Sequence, residues 1–326
     1  MITEITKSIT HIEGFIKNLS NFSDIPPEYP PFSTLVQSSL IKSYEFIKLV
    51  YSNEKFDSYF FVTSFLRGIV EDIIVLESVH YLPIEKREKL LQGIQLLEIK
   101  ERILKQWDFF QEYRPFQPVI DKGYSFDEAR IEVQNIWREN GWTNFEVTSK
   151  KMMPPTIQLA QKLAPGILDI LYEFIYRLTS STVHFSPQTL FRMGWGNVNS
   201  ENKMSGTISV NHMANYYKTF CQIYGALLFS FYFELFPEEI DATTTEQLIV
   251  TNIRKNLLEE LRWPEMITFE EMNLQVPKVY HDQILTYGII HQANIEMLKV
   301  GFVKNNYKQF LEAIKIKTTD GIRFQQ

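Results

Sequence analysis

The chain contains very little cysteine, with Cys221 as the single thiol among 326 residues. One thiol excludes both an intramolecular disulfide framework and a multi-cysteine zinc site. The surrounding segment "YKTFCQIYGALLF" is apolar, which predicts that Cys221 is an ordinary buried core residue. The most hydrophobic segment, residues 223–236, is shorter than the roughly 20 residues that a membrane-spanning helix needs. The N-terminus also lacks the pattern of a secretory signal. We therefore expect a reducing, cytoplasmic location and no membrane contact.

The sequence also lacks the common motifs of cofactor and metal chemistry. It contains no P-loop, no GxSxG and no Rossmann glycine pattern. Its six histidines show neither an HExxH pattern nor close pairing, so we expect no metal site and no cofactor. The formal net charge of −6 indicates that the whole chain is not a polycation, and any contact with nucleic acid would need a local basic patch.

Apolar residues at helical spacing occur along most of the chain, and they predict an all-α protein. We expect a multi-helix bundle with one small β-hairpin insertion after a long apolar helix at 166–184, and a C-terminal helical extension. The predicted units are an N-terminal helix with a proline-rich connector at 1–32, a bundle at 33–237 that includes the hairpin at 188–210, and a C-terminal helical subdomain at 238–326. A helix at 56–82 is apolar nearly all round and should be central.

Polar residues follow one another along the apolar helix "GILDILYEFIYRLTSSTVHF". Arg177 and His184 are seven residues apart, almost two turns, so a continuous helix would place them on one face. Glu173 extends this polar stripe by one turn, and Ser180 and Ser181 lie within it. Such a stripe must be hydrogen-bonded internally or line a cavity, because stranded polar groups are costly.

A second polar stripe lies on the helix at 56–82, where Arg67 and Glu71 form an i, i+4 pair. Charged residues on so apolar a helix are rarely buried without partners. The polar groups of both stripes gain partners if the stripes face each other across the bundle. In that arrangement a pocket forms around Arg177 and His184, and it is completed by Arg67, Glu71, Glu173, Ser180 and Ser181.

Histidine and arginine together suit phosphodiester cleavage without a metal. Imidazole can accept a proton from a ribose 2′-hydroxyl or give one to the leaving 5′-oxygen. A guanidinium can bind two phosphate oxygens and offset charge in the transition state.

The segment "RLTSSTVH", an arginine and a histidine with a short spacer at a helix end, resembles the motif of the HEPN superfamily, an all-α group of nucleotide-binding proteins. The pair "RGIVE" and "YRLTSSTVH" also looks like an uncharacterised bacterial helical family related to it. The resemblance spans about residues 35–235. It implies a metal-independent endoribonuclease of a toxin–antitoxin or anti-phage system, acting as a homodimer with a possible antitoxin or defence partner protein. It also implies His184 as general acid/base and Arg177 as phosphate ligand.

Three further residues are candidate substrate contacts. Trp195 could stack on a base, and Asn211 and His212 could meet an anion at the start of the next helix, 212–236, although an anchored loop aromatic and plain helix capping are the default interpretations.

Two other functions fit the same residues. The first is a non-catalytic module of the same fold that binds a nucleotide or a protein. The second is a structural scaffold in which Arg177 pairs with Glu173 or Glu71 and His184 caps its helix.

Overall fold

The computed structural model describes residues 2–21, 31–52, 58–114, 126–148, 150–162, 172–184, 186, 189–190, 192–198, 204–260 and 263–267. Most of these residues are helical, which confirms the predicted all-α class. The α-helices are α1 Ile2–Leu19, α2 Phe32–Ser52, α3 Tyr59–His80, α4 Ile84–Glu112, α5 Phe126–Glu139, α6 Thr156–Lys162, α7 Arg177–Val183, α8 Ala214–Leu235, α9 Pro237–Ile240 and α10 Thr244–Leu258. No described helix combines the length and the apolar character that crossing a membrane requires.

Helix α3 lies at the centre of the bundle, as its apolar composition predicts. It packs against α2, α6, α7 and α8, and residues on most of its circumference are buried. Its partner α8 is rich in aromatic residues and approaches α2 closely at Gly225, where a Cβ atom would lie 2.6 Å from a ring carbon of Phe46. Cys221 is fully buried on α8 beside Thr63 of α3, in agreement with the prediction of a core thiol.

The two outer helices α1 and α10 pack against each other. Helix α1 buries a stripe of isoleucines at Ile5, Ile9, Ile12 and Ile16, the spacing that the sequence shows. Helix α10 also packs on α8, and its buried residues join the same hydrophobic core as α1 and α3. Helix α10 falls within the predicted C-terminal subdomain, and residues 268–326 of that segment lie outside the described part of the chain.

Two short strands, β1 Gly194–Val198 and β2 Met204–Ile208, pair antiparallel with Gly194 opposite Ile208. They lie between α7 and α8, inside the segment 188–210. A hydrogen bond from the backbone N of Ser209 to the carbonyl of Met193, at 2.7 Å, continues the pairing by one step.

Helix α8 begins later than the sequence indicated. Its N-cap is Met213, with no side-chain capping bond, so the prediction that Asn211 caps this helix is wrong. Asn211 instead lies in the turn before it, where its backbone N donates to Ser209 Oγ at 3.1 Å.

Candidate functional site

The helix that carries the Arg–His motif is not a uniform α-helix. Tyr172–Tyr176 forms a π-helix, which continues directly into the short α-helix α7. Insertions of this kind are rare and occur frequently at functional sites. The π-helix stacks the rings of Tyr172 and Tyr176 with centroids 4.3 Å apart. The predicted continuous α-helix at 166–184 is therefore corrected over its described part, and residues 163–171 lie outside the described chain.

The motif helix ends at Val183, and His184 has an extended backbone with φ −100° and ψ 161°. Its backbone N still donates to the carbonyl of Ser180 at 2.8 Å, but its side chain no longer follows the helical spiral. The prediction that Arg177 and His184 project from one helical face assumed a helix through residue 184, and this premise is wrong.

Arg67 on α3 connects the two polar stripes. Its guanidinium contacts His184 Nε2 at 2.9 Å, Tyr176 Oη at 2.6 Å and Glu71 Oε1 at 3.4 Å. The guanidinium carbon also lies 4.4 Å from the centroid of the Tyr176 ring. Since the Arg67 side chain is only 23% exposed, these contacts fix it between α3 and the motif helix.

The Arg67–His184 contact defines the protonation of the imidazole within it. A guanidinium is always charged and carries only donors, so Nε2 must accept the hydrogen bond. The imidazole in this contact is therefore neutral, with its proton on Nδ1. Among the described residues, Nδ1 has no hydrogen-bond partner.

Arg177 occupies a different environment. Its Nε lies 2.7 Å from Glu173 Oε2 in an i, i+4 ion pair, and its side chain is 65% exposed. This pair was one of the two structural interpretations of Arg177. The arginine that touches His184 is thus Arg67, while the rest of the Arg177 guanidinium faces solvent beside the same helix.

The two serines of the motif differ in their hydrogen bonds. Ser181 Oγ donates to the carbonyl of Leu178 at 2.6 Å, an ordinary bond back to the helix. Ser180 Oγ is buried and has no hydrogen-bond partner among the described residues. An unsatisfied buried hydroxyl costs about 1–3 kcal/mol. A new hydrogen-bond partner for Ser180, which lies one turn before His184, would therefore remove this free-energy cost.

The remaining candidates lie at the β strands and the turn after them. Trp195 is in β1, where its backbone pairs with Thr207 of β2. Nε2 of His212 lies 3.1 Å from the carbonyl and 3.2 Å from Oγ1 of Thr207. Among the described residues, the hydrogen bonds of Asn211 join it to Ser209 and Ala214, and none joins it to Arg67 or His184.

Two tyrosines belong to the site although neither was a predicted site residue, and only Tyr176 stood in the quoted segment "YRLTSSTVH". Tyr176 binds Arg67, and Tyr172 stacks beneath it. Burial, followed by the influence of Tyr176, raises the pKa of Tyr172 to about 12, so this phenol keeps its proton at neutral pH. The sequence signal was the i, i+4 tyrosine pair directly before Arg177.

No group of three or more His, Cys, Asp or Glu side chains within the described ranges is arranged to hold a metal ion. The acid/base and charged groups that contact Arg67 are those of Glu71, Tyr176 and His184.

No family model, curated protein or solved structure matches the chain. The relationship to the HEPN superfamily therefore stays a prediction, and the function has to be argued from the geometry of the site.

Proposed function

We propose that the chain is a metal-independent endoribonuclease of a toxin or anti-phage defence type, with His184 as general acid/base. The observation that supports this most directly is the 2.9 Å contact between His184 Nε2 and the Arg67 guanidinium. It joins a proton-transfer group to a phosphate-binding group at the end of a short helix, which is the pair that phosphodiester cleavage requires.

The proposed reaction starts when a phosphodiester competes for the guanidinium of Arg67. Movement of that guanidinium to the phosphate oxygens frees the lone pair of Nε2. His184 then accepts the proton of the ribose 2′-hydroxyl as the 2′-oxygen attacks phosphorus. The bond from phosphorus to the 5′-oxygen breaks, and the imidazolium gives its proton to that leaving oxygen. The products are a 2′,3′-cyclic phosphate and a 5′-hydroxyl end.

Arg177 acts in this proposal as the second phosphate ligand. Its ion pair with Glu173 uses Nε, so the terminal nitrogens remain available to phosphate from the solvent side. Ser180 and Ser181 complete the pocket, and Glu71 holds Arg67 before substrate arrives. Two copies of the chain, each with one such site, act as a homodimer in this proposal, and an antitoxin or defence partner protein restrains their activity.

The test compares wild type with His184→Ala on a labelled single-stranded RNA in the presence of EDTA. We expect wild type to give cyclic phosphate ends and His184→Ala to lose at least about 100-fold in rate, the usual contribution of a general acid/base. His11→Ala, which removes an exposed histidine on α1, is the matched control and should cut like wild type. Equal cleavage by wild type and His184→Ala would overturn the catalytic role.

A non-catalytic binding module of the same fold is the second candidate. It is favoured by the engagement of Nε2, since Arg67 occupies the atom that a general base must use. This candidate predicts that wild type binds RNA or a mononucleotide without cutting it. Binding that weakens in Arg67→Ala and Arg177→Ala, with no cyclic phosphate formed by wild type, would support this second function.

A further inference from the structure

A cavity lies at the C-terminal end of α3, away from the Arg67–His184 pair. Its volume is about 370 Å³, within the range of small-molecule sites and near its lower end. The walls come from α3, from the end of α5 with the turn that follows it, and from α6. The lining residues on which the argument rests are Tyr81, Leu82, Trp137, Trp142, Leu159 and Lys162.

The aromatic wall of this cavity is fixed before any ligand arrives. Trp137 is buried and its indole N–H donates to the carbonyl of Met152 at 3.1 Å. Trp142 stands edge-on to it, with ring centroids 6.5 Å apart and planes at 89°. Tyr81 is 69% exposed, and its ring stands edge-on to that of His80, with centroids 6.0 Å apart. The planar ring of a ligand would therefore contact aromatic side chains that lose little conformational entropy on binding.

The cavity also carries a positive charge without a matching acid. The ammonium of Lys162 lies 4.9 Å from the ring centroid of Trp142 and donates one hydrogen bond to the carbonyl of Asn140. Among the described residues no carboxylate pairs with Lys162, and the lining residues include no Asp or Glu. The indole N–H of Trp142 likewise has no partner in the described chain, so a second donor is available.

We propose that this cavity binds a small planar aromatic anion. The ring lies against the side chains of Trp142 and Tyr81, and a single carboxylate or phosphate binds the ammonium of Lys162. The cation favours an anionic group, and the size favours one or two rings. The ligand is therefore an aromatic carboxylic acid or a mononucleotide, which share the chemistry of a flat ring with one anionic group.

The experiment is calorimetric titration of the full chain with two matched pairs of probes, so that its outcome is independent of RNA cleavage. Indole-3-acetate is compared with the neutral indole-3-acetamide, and adenosine monophosphate with adenosine. We expect one of the two anions to bind at least tenfold more tightly than its neutral partner, and the pair that shows the difference identifies the class of ligand. Absence of binding by all four probes, or equal binding within both pairs, would overturn the proposal.

Substitutions of Lys162 test whether its ammonium binds the anionic group of the ligand. Lys162→Gln should abolish the preference for the anion, whereas Lys162→Arg, which keeps the charge, should retain it. The matched control is Lys100→Gln, because Lys100 also lies over an aromatic ring, 4.8 Å from that of Phe126, but not at this cavity. An unchanged preference in Lys162→Gln, or an equal loss in Lys100→Gln, would contradict the assignment to Lys162.

Discussion

At the scale of single residues, the two arginines of the candidate site differ in what they do for the fold. Arg67 is mostly buried and holds Glu71, Tyr176 and His184, whereas Arg177 is exposed and forms one surface ion pair. Arg67→Ala strands several partly buried polar groups, so we expect it to lower the free energy of unfolding by about 1–3 kcal/mol. Arg177→Ala should change it by less than about 1 kcal/mol. Urea denaturation measures the unfolding free energy of both variants. Equal losses in the two variants would contradict the different structural roles of Arg67 and Arg177.

Glu77 gives a second residue-scale prediction, on pH. Burial is the main cause that raises the pKa of its carboxyl, and the charge of Glu239 adds to it. The folded state then holds the proton more tightly than the unfolded state. Stability therefore falls as the pH rises from the unfolded pKa, about 4.3, through the raised folded pKa.

Glu77→Gln removes this cost and keeps the size of the side chain. We expect the variant to be more stable than wild type at pH 7 and nearly equal to it at pH 4, as measured by urea denaturation. Glu85→Gln, an exposed change in the first turn of α4, is the control and should show no such pH-dependent gain. A stability difference that is independent of pH would disprove the role of the carboxyl proton.

At the scale of helices, apolar periodicity was sufficient to predict the all-α class, the central position of α3 and the isoleucine stripe of α1. The π-helix was not predictable from the spacing, because the spacing argument assumed 3.6 residues per turn throughout. Within the motif, α7 ends before His184, and the histidine contacts Arg67 of α3. The residue types of the site were thus readable from the sequence, but their pairing depended on tertiary contacts between α3 and the motif helix.

The close approach of α2 and α8 makes a testable contrast between two helical glycines. A Cβ atom at Gly225 would lie 2.6 Å from a ring carbon of Phe46, whereas one at Gly14 on α1 meets no atom within 4 Å. Gly225→Ala should destabilise by about 1–3 kcal/mol through overpacking. Gly14→Ala should stabilise by about 0.5–1 kcal/mol through helix propensity. Thermal unfolding measures both, and stabilisation by both changes would show that the helices can separate at Gly225 without cost.

At the scale of the whole molecule, the question is whether the outer helices unfold together with the centre. Helices α1 and α10 pack on each other and join the core that contains α3 and α8. Cys221 lies at the α3–α8 contact, fully buried, and burial raises the pKa of its thiol to about 12. As the single thiol of the chain, it reports the opening of this central contact through its reaction with an aromatic disulfide reagent.

If the described helices form one cooperative unit, destabilising α10 must also expose Cys221. Ile253 is fully buried on α10, and Ile253→Ala should cost about 2–5 kcal/mol. When reagent trapping is slower than reclosing, the thiol reaction follows the population of the open form. Ile253→Ala should then accelerate the reaction of Cys221 by about the same factor as it raises the population of the unfolded form, which its measured loss of unfolding free energy gives. Leu248→Ala, an exposed change on the same helix, should leave the rate unchanged. A normal Cys221 rate in a destabilised Ile253→Ala would instead mean that α10 opens separately, which is the behaviour expected of a C-terminal subdomain beginning at residue 238.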